Sequence, residues 1–221
     1  MTVRLFLEPI DWDSDFSCFF ASAKKGEGLN PGSKRHLSMG KIKRSFTKAS
    51  ISEPAFVALV SAALEAYDKE TLGAIMGTVY KKKILIKHAV AYQCAIRKLE
   101  EVSIWPAKEK KIRDAINALT GYKILGDFHS HPDWTCVLSK HDKADMIENG
   151  TRISVLISVG QADGNKIPWG YDKDEKFLYG TLRGDFLLNI RVYARELNSK
   201  RIYKVPIDCP FVTSMNKKAL Y

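Results

Sequence analysis

The run Ile153-Ser154-Val155-Leu156-Ile157-Ser158-Val159 is nearly all apolar and β-branched, the pattern of a strand covered on both faces. Such a strand needs a packed layer above it and another below. The rest of the chain supplies candidates for those layers. Ser50 to Pro54 offers a cap and a proline in the first helical turn. Phe56, Val57, Leu59, Val60, Ala63, Leu64 and Tyr67 then follow at helical spacing. Pro106 opens a second amphipathic helix reaching Leu119, with Ile112, Ile116 and Leu119 on one face. Extended runs from Thr71 to Tyr80 and from Ile84 to Tyr92 flank Lys81-Lys82-Lys83 as a hairpin. Phe177 to Arg183 and Phe186 to Arg195 flank Gly184-Asp185 in the same way, and Arg201 to Ile207 makes a last strand. Helices mixed with hairpins predict an α/β sandwich around a mixed sheet.

The charge is concentrated toward one end. Of a net +10, eight basic residues (Lys24, Lys25, Lys34, Arg35, Lys41, Lys43, Arg44, Lys48) fall between positions 24 and 48 against Glu27 alone. Gly26, Gly28, Pro31, Gly32 and Gly40 punctuate that stretch, which favours loop over regular structure. Residues 1–45 are therefore expected to be a basic, partly flexible extension, 46–210 a single globular domain and 211–221 a tail. The extension could contact nucleic acid or an acidic protein. Four scattered cysteines, Cys18, Cys94, Cys136 and Cys209, form no C-x-x-C pair and read as free thiols of a reducing compartment. No apolar run approaches the roughly 20 residues of a membrane span, and the first residues lack the apolar core of a signal peptide. The expected location is cytoplasmic.

The chemistry lies in His129-Ser130-His131-Pro132, near the end of an extended run from Tyr122 to His131, with Ser139 and Asp142 after it. Histidines at i and i+2 on a strand point to one side. An acid from the start of a following helix can complete a three-ligand zinc site with one position left open for water. Ser139-x-x-Asp142 also reads as a capping box for a helix over 139–148, stopped by Asn149-Gly150. The two readings are compatible, since a helix N-terminus is a stiff platform for an acid. Taken alone, H-x-H is common on surfaces and in cores.

The full string His129-x-His131-Pro132-x6-Ser139-x-x-Asp142 resembles the JAMM motif of MPN-domain metalloproteases. Glu70-Thr71-Leu72-Gly73-Ala74-Ile75-Met76-Gly77 resembles that family's upstream E-x-x-G-x-x-x-G. The likeness covers roughly residues 48–207. It implies an MPN α-β sandwich of the cytidine-deaminase-like kind, around a mixed, largely antiparallel sheet. It also implies one Zn2+ per chain held by His129, His131 and Asp142, with Glu70 as general acid/base and Ser139 stabilising the tetrahedral intermediate. Gly73 and Gly77 could otherwise mark only close packing or a bulge.

Several neighbours leave alternatives open. Asp127, two residues before His129, could hold an imidazole or make a surface ion pair. His141 should point away from the ligands, and Asp145, one turn beyond Asp142, is an outside candidate. Cys136 could approach the metal, although a semi-buried loop thiol is the plainer reading. Asp133 and Trp134 could shape a groove or only a loop. Trp105 and Trp169, in the flanking segments 93–106 and 161–176, could anchor a substrate or simply pack.

The resemblance implies hydrolysis after the C-terminal glycine of ubiquitin, a ubiquitin-like modifier or a sulfur-carrier protein, whose tail would enter extended. Two other readings stand beside that isopeptidase: a non-catalytic MPN scaffold, and a JAMM-like protein of nucleic-acid metabolism working through its basic extension.

Overall fold

The computed structural model describes residues 45–218 except 98–100, 134 and 198; the expected basic extension, like Trp134, lies outside the described residues. In chain order the elements are β1 (Lys48–Ile51), α1 (Glu53–Glu65), β2 (Leu72–Tyr80), β3 (Lys83–Ala91), β4 (Ile96–Arg97), β5 (Val102–Ser103), α2 (Pro106–Leu119) and β6 (Lys123–Pro132). They continue with α3 (Lys140–Glu148), β7 (Ile153–Gln161), β8 (Gly170–Asp172), β9 (Phe177–Leu182), β10 (Phe186–Arg195), β11 (Ile202–Val205), β12 (Ile207–Asp208) and α4 (Pro210–Lys218).

The large sheet runs β12-β1-β3-β2-β6-β7-β10-β9-β8, with β11 also paired to β10, while β4 and β5 form a separate ribbon. Parallel pairing occurs at β1–β12, β1–β3 and β6–β7, and the other pairs are antiparallel. The sheet is therefore mixed and largely antiparallel, as expected. Strand β7 is buried on both faces by alternation: Val155, Ile157 and Val159 join the core beneath α1, whereas Leu156 packs with Met146 of α3. On the α3 side, Ile116 of α2 covers Ala74, Met76 and Ile124. Helices thus lie on both faces, with α1 and α4 on one and α2 and α3 on the other.

Local chemistry explains the principal helices. The Ser52 hydroxyl caps α1 by accepting from the Ala55 N–H, with Pro54 in the first turn. Ala55, Phe56, Leu59 and Ala63 then turn inward. The segment expected as one strand from Arg201 to Ile207 is instead two, and the reason is Pro206. A proline has no N–H for a ladder. Val205 before it pairs with β10, Ile207 after it pairs with β1, and the Pro206 carbonyl accepts from the Ala49 N–H at 2.8 Å. Residues 211–218, placed in the tail by sequence, belong to α4 (Pro210–Lys218), with Val212 buried and Phe211 edge-on to Phe56. No helix among the described residues is long and apolar enough to cross a membrane.

Gly77 sits where the β2–β3 register shifts, and a Cβ there would strike the Leu85 carbonyl. That backbone oxygen cannot swing aside, so Gly77→Ala should destabilise the fold by about 1–3 kcal/mol or more. Gly121→Ala meets nothing within 4 Å and should stay within about 0.5 kcal/mol of the parent. Urea unfolding of the two variants checks the contrast.

Candidate metal centre

Strand β6 sets the geometry. It pairs antiparallel with β2, placing Leu72 opposite His129, and parallel with β7, placing Leu156 and Ser158 opposite His129 and His131. The two imidazoles project to one side with centroids 5.1 Å apart. Asp142 reaches them from the first turn of α3. Its Oδ2 lies 3.7 Å from His129 Nε2 and 3.4 Å from His131 Nε2. One ligand atom from each of the three residues lies within 4.8 Å of the others.

The capping box holds Asp142 in place. Ser139 N–H donates to Asp142 Oδ2 at 2.6 Å, and Asp142 N–H donates to Ser139 Oγ at 3.0 Å. The predicted helix start and the predicted third ligand are therefore one device. His131 is oriented from behind, its Nδ1 lying 3.5 Å from the Thr135 carbonyl. Donation there leaves the Nε2 lone pair directed at Asp142 and His129, the usual way a ligating histidine is fixed.

Glu70, almost sixty residues upstream, comes to the same place: its Oε1 is 3.9 Å from His131 Nε2. The reason is a pair of hydrogen bonds that sequence reasoning missed. Ser130 Oγ accepts from Thr71 N–H at 2.9 Å, and Ser130 N–H donates to the Thr71 carbonyl at 3.1 Å. Both residues are buried. The middle residue of His129-Ser130-His131 thus fixes the residue after Glu70. A hydroxyl between two ligand-spaced histidines was the available signal.

The other neighbours sort themselves. Asp127 accepts a 2.5 Å hydrogen bond from Ser154 Oγ on β7. Burial pushes its carboxyl up. His141 points outward and lies 3.4 Å from Asp145, which takes Asp145 away from the ligand cluster. Cys136 is buried, and burial pushes its thiol up to about 12; its Sγ donates toward the Leu156 and Asn189 carbonyls. Asp133 adopts a left-handed φ of 54° and accepts from the Tyr67 hydroxyl at 2.9 Å. Trp169 is a packing residue, edge-on to Phe56 at 4.9 Å, whereas Trp105 is 56% exposed at the N-cap of α2.

Burial opposes ionisation of Asp142, but the two facing imidazoles and the Ser139 N–H outweigh it and hold the carboxyl far below the usual carboxylate range. Burial also pulls His129 down, yet Asp142, then Asp127 and Glu70, leave its pKa above the ordinary 6.5. His129 Nε2 is buried with no hydrogen-bond partner, a costly state for a polar atom. Two imidazole nitrogens and one carboxylate oxygen are a donor set suited to zinc. The residues fit the ion.

Proton and metal compete for His129. Zinc affinity, measured by competition with a chelator, should fall as pH drops through the raised His129 value, by about tenfold per pH unit once that proton is bound. In the metal-free protein the sign reverses. Protonated His129 contributes stability that is complete below its unfolded value and lost as pH rises through the folded one.

Residues 52–169, more than half of the chain, match the family described as prokaryotic homologs of the JAB domain. No curated protein matches. Among solved structures, the chain is similar to the solution structure of protein DSY2949 from Desulfitobacterium hafniense, at 13% identity and a TM-score of 0.48, over 73% of this chain and 92% of that one. By the extent of the family match, this chain belongs to the prokaryotic homologs of the JAB domain.

Proposed function

We propose that the chain is a zinc-dependent isopeptidase or peptidase. Its substrate is the bond after the C-terminal glycine of ubiquitin, or of a ubiquitin-like or sulfur-carrier protein. The observation that carries this reading is the arrival of Glu70 beside His131, at 3.9 Å, in a cluster that already holds His129 and Asp142. A carboxylate beside the three-ligand cluster but outside it is placed to accept a proton, which hydrolysis requires.

His129, His131 and Asp142 would hold one zinc ion. When bound, it supplies Lewis-acid polarisation of the scissile carbonyl and acidifies a water. Glu70 takes the proton released as that water attacks and returns it to the leaving amine. Its carboxylate is largely shielded from solvent, which favours proton transfer to a substrate over exchange with bulk water. Ser139 serves the developing oxyanion. Its Oγ already accepts from Asp142 N–H, so the hydroxyl proton is the part it offers to a substrate oxygen.

A non-catalytic scaffold of the same family would not depend on Glu70. Glu70→Gln should therefore keep stoichiometric zinc by elemental analysis while cleavage of ubiquitin-like fusions falls about 10²- to 10⁴-fold. His129→Ala should lose the metal. An intact protein without zinc, or a Glu70→Gln variant that cleaves as well as the parent, sinks the proposal.

Ser139→Ala separates two roles in one side chain. Loss of the oxyanion donor should cost about 10²- to 10³-fold in turnover. Loss of the cap should cost about 1 kcal/mol of stability, read by urea unfolding.

A further inference from the structure

We infer that Arg191, on β10 and two strands from β6 in the sheet, is a positioning residue for the metal ligands. It acts through the segment that joins Pro132 to Ser139, and the inference rests on the zinc reading of the centre.

Arg191 is only 4% exposed, and a buried guanidinium demands partners. It has four. Nη1 donates to the Cys136 carbonyl at 2.5 Å and to the Tyr193 hydroxyl at 3.4 Å, Nη2 donates to Glu175 Oε2 at 3.3 Å, and the guanidinium lies 5.0 Å over the Phe177 ring. The Tyr193 hydroxyl donates to the same Cys136 carbonyl at 3.2 Å. Glu175 is itself fixed from outside by Lys204 Nζ at 2.6 Å.

Two donors converging on one backbone oxygen define the position of that peptide. The peptide matters because of its neighbours. One residue before Cys136, the Thr135 carbonyl faces His131 Nδ1. Two residues after it, buried Leu138 leads into Ser139, the cap that positions Asp142. The segment therefore supports two ligands at once, His131 from behind and Asp142 through the helix start. Arg191 is its attachment to the sheet. Lysine cannot replace it, because one ammonium cannot span the carbonyl and Glu175 while stacking on Phe177.

Arg195, four residues on along β10, provides an internal control. It donates to the carbonyls of Gly150 and Thr151, just past the end of α3 away from Asp142, and to that of Ser199. Its removal loosens the same helix without touching the ligand segment.

The test is zinc affinity of the full chain by chelator competition, alongside urea unfolding of the metal-free protein. Arg191→Met should weaken zinc by up to the about 10- to 100-fold that losing a direct outer partner of a metal ligand costs. Arg191→Lys should recover part of that loss, and Arg195→Met should lower stability while leaving zinc affinity unchanged. If Arg191→Met does not fold, Arg191→Lys decides: weakened zinc supports the inference and unchanged zinc overturns it. The inference is also overturned if Arg191→Met destabilises the fold without weakening zinc, or if Arg195→Met weakens zinc as much. Failure of the parent protein to bind zinc would instead overturn the reading of the centre itself.

Discussion

Strand β6 has no freedom of register, and the candidate site depends on that. It is held antiparallel by β2 on one side and parallel by β7 on the other, and it ends at Pro132. A slip of one residue would turn both histidines into the core beneath α1 and bring Ser130 and Phe128 to the ligand side. Phe128, fully buried, opposes such a slip because its ring fills the α1 core beside Leu125. The close approach at Gly73 adds to the lock, since any Cβ there would collide with the Phe128 ring. Hydrophobic packing on one face thus sets the positions of polar ligands on the other.

Much of this was legible in the sequence, for physical reasons. Histidines two apart on a strand must share a face, and Ser139-x-x-Asp142 before a helix must approximate a capping box. Both follow from local geometry and both appear at their expected places. The helix after Ser52 and the hairpin around Lys81-Lys82-Lys83 were equally local. Glu70 was found by its resemblance to a motif, not by geometry, because the hydrogen bonds that bring it in link residues fifty-nine apart.

What stayed hidden is non-local. Residues 48–51 became β1 because β3 and β12 receive it in parallel register on either side; four residues carry no periodic signal strong enough to predict that. Pro206 was visible, but that it hands the chain from β10 to β1 depends on tertiary placement. Nothing in the periodicity of the run Phe186 to Arg195 sets Arg191 apart. Its role depends on the Cys136 carbonyl, fifty-five residues away, and no spacing rule connects them.

The capping box carries a further consequence for the metal. Asp142 Oδ2 accepts from the Ser139 N–H and is also the carboxylate oxygen nearest both imidazoles. A carboxylate at a helix N-terminus is stabilised as an anion by the unpaired N–H groups there. This keeps Asp142 ionised at any pH where His129 can release its proton, so protonation of the acid never competes with metal. The same stabilisation draws electron density toward the helix and makes Asp142 a weaker donor than a carboxylate held by water. On the proposed zinc reading, a weaker third ligand would leave more positive charge on a bound ion and so would favour acidification of a bound water.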